Sequence, residues 1–285
     1  MTIGHVNHAT ASVRLLGPAD TEALRDLMRP DPVRHCFAEA RLDTWGLHAA
    51  ASGGPFWGYG PAGSVESALL VGANMVPVAT TPAARAAFAE HAVRQGRRSS
   101  SIVGPADEVL DLWRHLEPHW GTAREVRPDQ LLMVATQPST VDPDPCVRAT
   151  TADDLNGLFP ACVAMFTEEV GISPIAGGME PAYRRRVSDL IRQGRSFAAF
   201  DDDGLFFKAE LGALSRRAGQ IQGVWVPPER RRRGLASRGM AAVVLLTAPI
   251  VSVVSLYVNS YNTGAVRAYE AAGFRTVGRF ATILF

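Results

Sequence analysis

The chain has 285 residues, a formal net charge of +1 at pH 7 and 47% hydrophobic residues. This length and composition allow two domains with substantial cores, and the near-neutral charge gives no overall field that would draw the chain to nucleic acid or to a membrane surface. The three cysteines, Cys36, Cys146 and Cys162, are scattered without metal-ligand spacing. They indicate buried thiols in a reducing cytoplasm and no metal site.

The sequence does not predict a membrane protein. No apolar stretch reaches the roughly 20 residues of a spanning helix, because the longest candidate, residues 240–256, is interrupted by Thr247, Pro249 and Ser252. The N-terminus is polar, with His5 and His8 and no apolar core, which does not fit a signal peptide. We therefore expect a cytoplasmic protein.

The first half of the chain predicts alternating strands and helices. Strands are predicted at residues 11–16, 56–59, 67–71, 75–78, 100–103 and 130–135, and helices at 33–47, 82–95, 107–116 and from residue 22 onwards. Three prolines at residues 138–145 then predict an extended, fairly stiff linker. We expect a first domain at residues 1–137 and a second at 146–285.

The second half predicts the same order of elements. Strands are predicted at residues 146–149, 196–200, 205–214, 220–226 and 256–259, and helices at 151–169, 182–193 and from residue 235 onwards, with a further short helix between Asn262 and Gly273. Because the order matches that of the first half, we expect two related domains in tandem, although order of elements is weaker support than shared sequence.

One strand leads into an arginine-rich turn and then a helix. The strand contains Val224, Trp225 and Val226, two prolines follow, and the turn runs from Arg230 to Gly234. A glycine in such a turn and the first amides of the helix together favour binding of an anion, most often a phosphate. Neither the Walker phosphate loop nor the Gly-x-Gly-x-x-Gly dinucleotide motif is present in the sequence. A solvated basic turn is the alternative interpretation.

The turn contains Arg231-x-x-Gly234-x-Ala236, which closely resembles the acetyl-CoA motif of the GNAT acetyltransferase superfamily. Further along, Asn262, a short helix with Tyr269, and Gly273-Phe274 follow a strand in the family's order and spacing. Both motifs together are a strong signal. The resemblance covers about residues 148–285.

The resemblance implies an α/β (α+β) fold with two GNAT-like domains, each a mixed, mostly antiparallel sheet flanked by helices. It also implies a first domain that is degenerate, since its equivalent turn at residues 76–82 has no Arg-x-x-Gly sequence. Tandem chains with a degenerate first half resemble a family of actinobacterial acetyltransferases. The second domain is then the catalytic one.

The resemblance also assigns roles in holding acetyl-CoA as co-substrate, with no metal. The backbone of the strand pairs with the pantetheine arm, the turn holds the pyrophosphate, and Asn262 binds the cofactor arm or caps its helix. The residues expected to bind the cofactor are Val224, Trp225, Val226, Arg231, Arg232, Arg233, Gly234, Leu235, Ala236 and Asn262.

Tyr269 is expected to act as the general acid, because a phenol is protonated at neutral pH and can give its proton to the leaving thiolate. The alternative is a tyrosine that only packs on the sheet. The base is less defined, since Gln222 stands where some family members carry Glu. Glu168 and Glu169, at the end of a helix, and Glu210, on a strand, are the candidates, and the pair is favoured because it lies beside the loop at residues 171–181. Without a strong base, an α-amine is an easier acceptor than a lysine amine, whose deprotonation at pH 7 costs roughly 3 kcal/mol more.

The sequence therefore predicts an N-acetyltransferase that moves an acetyl group from acetyl-CoA to a primary amine, on a peptide or a small metabolite. A non-catalytic acyl-CoA sensor or scaffold is the main alternative, and a nucleic-acid binder using the arginine turn is disfavoured by the near-neutral charge. Neither nucleic acid nor membrane is expected as a partner, and a homodimer stays open.

Overall fold

A computed structural model of the protein describes residues 11–48 and 53–285; His5 and His8, on which the expectation about the N-terminus rests, lie outside these residues. The chain forms two compact units. The first contains Met1–Leu131 together with Gly278–Phe285, and the second contains Leu132–Val277.

The first unit is a sheet with helices on both faces. In chain order it contains β1 (Ser12–Leu15), α1 (Thr21–Met28), α2 (Cys36–Trp45), β2 (Phe56–Gly60), β3 (Ser67–Val71), β4 (Asn74–Val78), α3 (Pro82–Gln95), β5 (Ser101–Pro105), α4 (Ala106–Trp120) and the start of β6 (Glu125–Ala135). Strands β1 to β4 are antiparallel to their neighbours, and β4 pairs with β5 in parallel. Alternation along β3 sends Leu69 into a core with α3 and α4, and Leu70 into a core with α1 and α2.

The second unit repeats this order. It contains β7 (Arg148–Ala149), α5 (Leu155–Val170), α6 (Glu180–Arg192), β8 (Ser196–Asp201), β9 (Gly204–Leu214), β10 (Gly219–Trp225), α7 (Leu235–Thr247), β11 (Val254–Asn259), α8 (Thr263–Ala271) and the start of β12 (Phe274–Leu284). Strands β7 to β10 are antiparallel, and β10 pairs with β11 in parallel. The predicted fold class, two tandem domains with mostly antiparallel sheets, is confirmed.

The last strand of the second repeat contributes to the first unit. Residues Phe280 to Leu284 of β12 pair antiparallel with β5, and Ala281 and Ile283 belong to the core formed with α3 and α4. Phe285 packs its ring against Trp113 and Trp120. The compact unit that contains most of the predicted second domain, 146–285, ends at Val277, because residues Phe280 to Leu284 of β12 pair with β5.

Residues 138–145, the predicted linker, pack within the second unit. The Thr140 N–H and the Ser139 hydroxyl both donate to the carbonyl of Ala271 at the end of α8, and the Asp144 N–H donates to the carbonyl of Arg238. The Ala271 carbonyl is one that α8 leaves unpaired at its end, whereas Arg238 lies in the first turn of α7. The two compact units divide between Leu131 and Leu132.

Within the described ranges, no helix is both long enough and apolar enough to cross a lipid bilayer.

Candidate active site

A cavity of about 460 Å³ opens where β10 and β11 stop pairing. The two parallel strands pair only at Gly219 with Val254 and Gln220 with Ser255, although both continue further. Ligands in open α/β sheets bind beyond the carboxyl ends of parallel strands. The cavity is lined by Glu168, Val224, Trp225, Val226, Arg230, Arg231, Arg232, Gly234, Leu235, Ala236, Ser237, Asn262, Gly264, Ala265, Arg267, Ala268 and Tyr269.

Strand β10 has a bulge just before it reaches the cavity. Gln222 is paired with Glu210 and Trp225 with Lys208, so two residues of β10 oppose one residue of β9, which is the count of a β-bulge. Gly223 takes a φ of +59° there. Glycine suits this left-handed backbone because a Cβ is disfavoured in it.

The peptide bond after Gly223 has a defined orientation. The Gly223 carbonyl accepts a hydrogen bond from Lys208 Nζ at 2.8 Å. In a trans peptide the carbonyl and the next N–H point in opposite directions, so the Val224 N–H points away from Lys208. Val224 lines the cavity, whereas Lys208 does not.

The turn after β10 has a backbone geometry that suits an anion. Arg232 and Gly234 both have left-handed backbones, with φ of 64° and 75°, and α7 begins directly afterwards at Leu235. Successive amides in such a turn form a concave donor surface. The first amides of α7 add to it, because they have no partner within the helix and Gly234 has no side chain to cap them.

The four arginines of the turn have different surroundings. Arg230 pairs with Asp201, and Arg233 donates to the Glu229 carbonyl at 3.4 Å and does not line the cavity. Arg231 pairs with Glu168, donating through both terminal nitrogens at 2.8 and 2.6 Å. Arg232 lines the cavity and makes no ion pair within residues 11–48 and 53–285, so its guanidinium is available to an anion.

Glu168 is held by two donors at the edge of the cavity. Besides Arg231, the Trp225 indole donates to its carboxylate at 3.1 Å. The hydrogen bonds from Arg231 lower the pKa of Glu168, with smaller contributions that include the Trp225 bond. A carboxylate stabilised in its charged form accepts a proton less readily, which argues against Glu168 as a general base.

Tyr269 lies on α8 with 8% of its surface exposed, and its ring packs near Phe274. Burial, followed by the charge of Glu169, raises the pKa of Tyr269 above its ordinary value of 10.0. The phenol is therefore fully protonated at neutral pH. The same side chain packs in the interior and lines the cavity, so its position fits both the packing role and the role of general acid.

The remaining predicted residues divide between the cavity and its surroundings. Asn262 lines the cavity and caps α8, with Oδ1 accepting the Ala265 N–H at 3.2 Å; its amide nitrogen stays available as a donor. Glu169 does not line the cavity but is close enough to influence Tyr269 electrostatically.

Sequence reasoning did not single out several lining residues. Arg267 and Ala268 lie on the same helix as Tyr269, and Ser237 lies in the first turn of α7. Helical spacing could have indicated Ala265, which precedes Tyr269 by four residues.

Two parts of the sequence match known families. Residues 178–274 match the Acetyltransferase (GNAT) family, and residues 54–158 match a family described as a domain of unknown function (DUF4081). No curated protein matches the chain in sequence.

Solved structures resemble the chain over nearly its whole length. A Drosophila protein is 13% identical with a TM-score of 0.64, covering 97% of this chain and 99% of its own. A GCN5-related N-acetyltransferase from Sphaerobacter thermophilus is 18% identical with a TM-score of 0.59, covering 95% and 94%. A tandem GNAT protein from the clavulanic acid biosynthesis pathway is 16% identical with a TM-score of 0.52, covering 96% and 98%.

At these identities the structural similarity shows the fold. The chain thus has the fold of the GNAT structures that it resembles over nearly its whole length, a tandem GNAT protein among them, and residues 178–274 within its second unit match the GNAT acetyltransferase family.

Proposed function

We propose that the protein is an acetyl-CoA-dependent N-acetyltransferase that transfers the acetyl group to a primary amine by direct attack on the thioester. The observation that carries the proposal is one cavity that combines the bulged end of β10, an anion-binding turn and a buried, protonated tyrosine. An acyl-CoA sensor, the alternative function, would need the turn but not the tyrosine.

The turn from Arg231 to Ala236 is the proposed site of the pyrophosphate. Its backbone amides supply the cradle, and the side chain of Arg232 supplies charge-assisted hydrogen bonds. Arg267, which lines the cavity from α8, is a second cation available to a phosphate. Val224, Val226 and Asn262 are the proposed partners of the pantetheine arm.

The transfer itself requires four events. The amine nitrogen forms a bond to the thioester carbon while the carbonyl electron pair moves to oxygen. The Val224 N–H, which points away from Lys208, is the proposed donor to this oxyanion. Collapse re-forms the carbonyl and breaks the carbon–sulfur bond, and the thiolate takes the proton of Tyr269. The proton of the attacking amine leaves to a base, directly or through water.

Glu169 is the carboxylate proposed for this base, acting through water because it does not line the cavity. Glu210 does not line the cavity either, and it is buried between Arg186 and Lys208. In the absence of a strong base, an amine of low pKa is the easier acceptor, since an α-amine of pKa about 8 costs only about 1–1.5 kcal/mol to deprotonate at pH 7. We therefore propose an α-amine of a peptide or small metabolite as the acceptor class.

The test is acetyl-CoA binding by calorimetry with three forms of the protein. Gly234→Asp and Gly234→Asn have side chains of the same shape, both of which tolerate a left-handed backbone, and a Cβ at Gly234 meets no atom of the described chain within 4 Å. The pair therefore differs by one negative charge. Two like charges about 5 Å apart repel by about 1 kcal/mol in water and about 3 kcal/mol at an effective dielectric constant of about 20.

We expect micromolar binding by the wild type, similar binding by Gly234→Asn, and binding weaker by at least about fivefold for Gly234→Asp. Equal affinity of the two variants would show that no phosphate lies in the turn. Binding without turnover on any amine in a screen would favour the sensor.

A further inference from the structure

Three charged side chains, those of Arg186, Glu210 and Lys208, form a row behind the bulge of β10. Lys208 and Glu210, both on β9, are only 1% and 4% exposed, and their charged atoms lie 3.7 Å apart. Arg186 of α6 donates to Glu210 at 2.8 Å. At the other end of this row, Lys208 Nζ donates to the Gly223 carbonyl at 2.8 Å. The row of three charged side chains thus ends at one backbone oxygen, the carbonyl oxygen of Gly223.

Stability alone does not account for this arrangement. Taking charges out of water costs several kcal/mol per ion, and well-packed apolar residues of similar volume are often as stabilising or more so. The burial of Glu210 is compensated by Arg186 and Lys208, which hold the pKa of its carboxyl below the ordinary value. The buried charges therefore call for a role in specifying local geometry.

The fit around Gly223 shows which geometry is specified. A Cβ at this position would lie 3.0 Å from Lys208 Nζ and 3.2 Å from Glu210 Cδ, so the bulge and the charged side chains leave no room between them. The carbonyl of Gly223 cannot rotate away from Lys208 without losing its charged donor. The Val224 N–H, in the same peptide plane, is fixed with it.

We propose that Lys208 is a positioning residue for acetyl transfer: by holding the Gly223 carbonyl, it aims the Val224 N–H at the oxygen of the reacting thioester. Glu210, held by Arg186, keeps Lys208 in place. The proposal rests on the proposed function. Removing an oxyanion donor altogether costs about 10²–10³ in kcat, so a donor that is only misaimed is expected to lose about 10- to 100-fold.

The direct readout is the carbonyl stretch of acetyl-CoA labelled with ¹³C in the acetyl group, measured by isotope-edited infrared difference spectroscopy. A hydrogen bond to the thioester oxygen lowers this frequency, independently of any acceptor amine. Lys208→Met removes the donor and keeps an unbranched side chain. Phe207→Leu is the matched control, because Phe207 is fully buried on the neighbouring position of β9 and contacts the helix α7 side of the sheet instead.

We expect wild type and Phe207→Leu to lower the carbonyl frequency equally relative to free acetyl-CoA, even if the control melts at a lower temperature. Lys208→Met should bind acetyl-CoA with a Kd within about threefold of wild type, lose most of the frequency shift, and lose about 10- to 100-fold in kcat on an amine that the wild type acetylates. If Lys208→Met does not fold, Glu210→Gln, which keeps the shape of the side chain, should reduce the shift in the same direction by a smaller amount.

Two results would overturn the inference, and they can be told apart. A wild type that binds no acetyl-CoA removes the proposed function and this inference with it. A wild type with a lowered carbonyl frequency, together with a Lys208→Met variant of unchanged frequency and kcat, leaves the function standing and shows that Lys208 does not position the donor.

Discussion

Substitution of Glu168 by Gln separates two roles for this residue with one variant. The carboxylate accepts two hydrogen bonds from Arg231 and one from Trp225 at the edge of the cavity. As a base, Glu168 would take the proton of the amine. As a partner of Arg231, it instead competes with the anion that the turn binds. The two roles predict opposite results.

The expected change in acetyl-CoA affinity follows from how exposed the ion pair between Arg231 and Glu168 is. The side chains of Arg231 and Glu168 are 39% and 50% exposed, and exposed ion pairs contribute about 0.2–1 kcal/mol. Releasing Arg231 should therefore strengthen acetyl-CoA binding by about 1.4- to fivefold. Loss of a general base would instead lower kcat by about 10²–10⁴.

Calorimetry with acetyl-CoA and steady-state kinetics on the best amine of a screen measure both quantities. We expect Glu168→Gln to bind acetyl-CoA more tightly at low ionic strength, with the gain shrinking as salt is added, and to keep kcat within a few-fold. Glu169→Gln is the parallel variant at the neighbouring position. A hundredfold fall in kcat for Glu168→Gln with unchanged affinity would refute the reasoning and identify Glu168 as the base.

The other predictions concern Tyr269 as the general acid, the C-terminal end of β12 in the first core, and the acceptor amine. Tyr269→Phe should lower kcat by about 10²–10⁴ without weakening acetyl-CoA binding, as measured by kinetics and calorimetry. The pKa of Tyr269 is raised in the folded state. The stability that this raised pKa contributes is therefore present below pH 10 and is lost as the pH rises through the folded-state pKa. Tyr269→Phe should remove this loss of stability at alkaline pH, as measured by denaturant titrations. Ile283→Ala, at a fully buried position, should destabilise the protein by about 2–5 kcal/mol in urea unfolding, and an effect below 1 kcal/mol would argue against its place in the first core. On a test peptide that offers both amines, the α-amine should be acetylated faster than the ε-amine, and the reverse order would exclude the proposed acceptor class.

Local signals were sufficient to predict most elements. The helix observed at Pro82–Gln95 has the predicted bounds, and it begins with a local cap in which Thr81 accepts the Ala84 N–H and Pro82 follows. The arginine turn, the tyrosine helix and the strand before them were all predicted from local spacing, and these elements line one cavity.

Features that depend on pairing between distant segments could not be predicted. Nothing local in β12 indicates that Ala281 and Ile283 belong to the first core, since an alternating strand fits either sheet. Similarly, the ion pair between Glu168 and Arg231 joins residues 63 positions apart. The two glutamates look equivalent in sequence, and only the fold shows that one of them is bound by an arginine.

The first repeat shows how a GNAT-like turn can exist without an anion site. At the position equivalent to the arginine turn, Ala79 has a left-handed backbone with φ of 49°, and Thr80 follows it. The Glu108 carboxylate of α4 accepts both the N–H and the hydroxyl of Thr80, at 2.7 and 2.5 Å.

Glu108 is buried, which raises the pKa of its carboxyl, and Arg85 Nη1 donates to the carbonyl of Thr80 at 2.5 Å. The donors that could face a phosphate are therefore used by a carboxylate of the same chain. A phosphate would have to displace Glu108 and leave it buried without its partners, at a cost of about 1–3 kcal/mol or more. The degenerate turn that the sequence indicates at residues 76–82 thus has a physical counterpart, and it favours the second repeat as the one that binds acetyl-CoA.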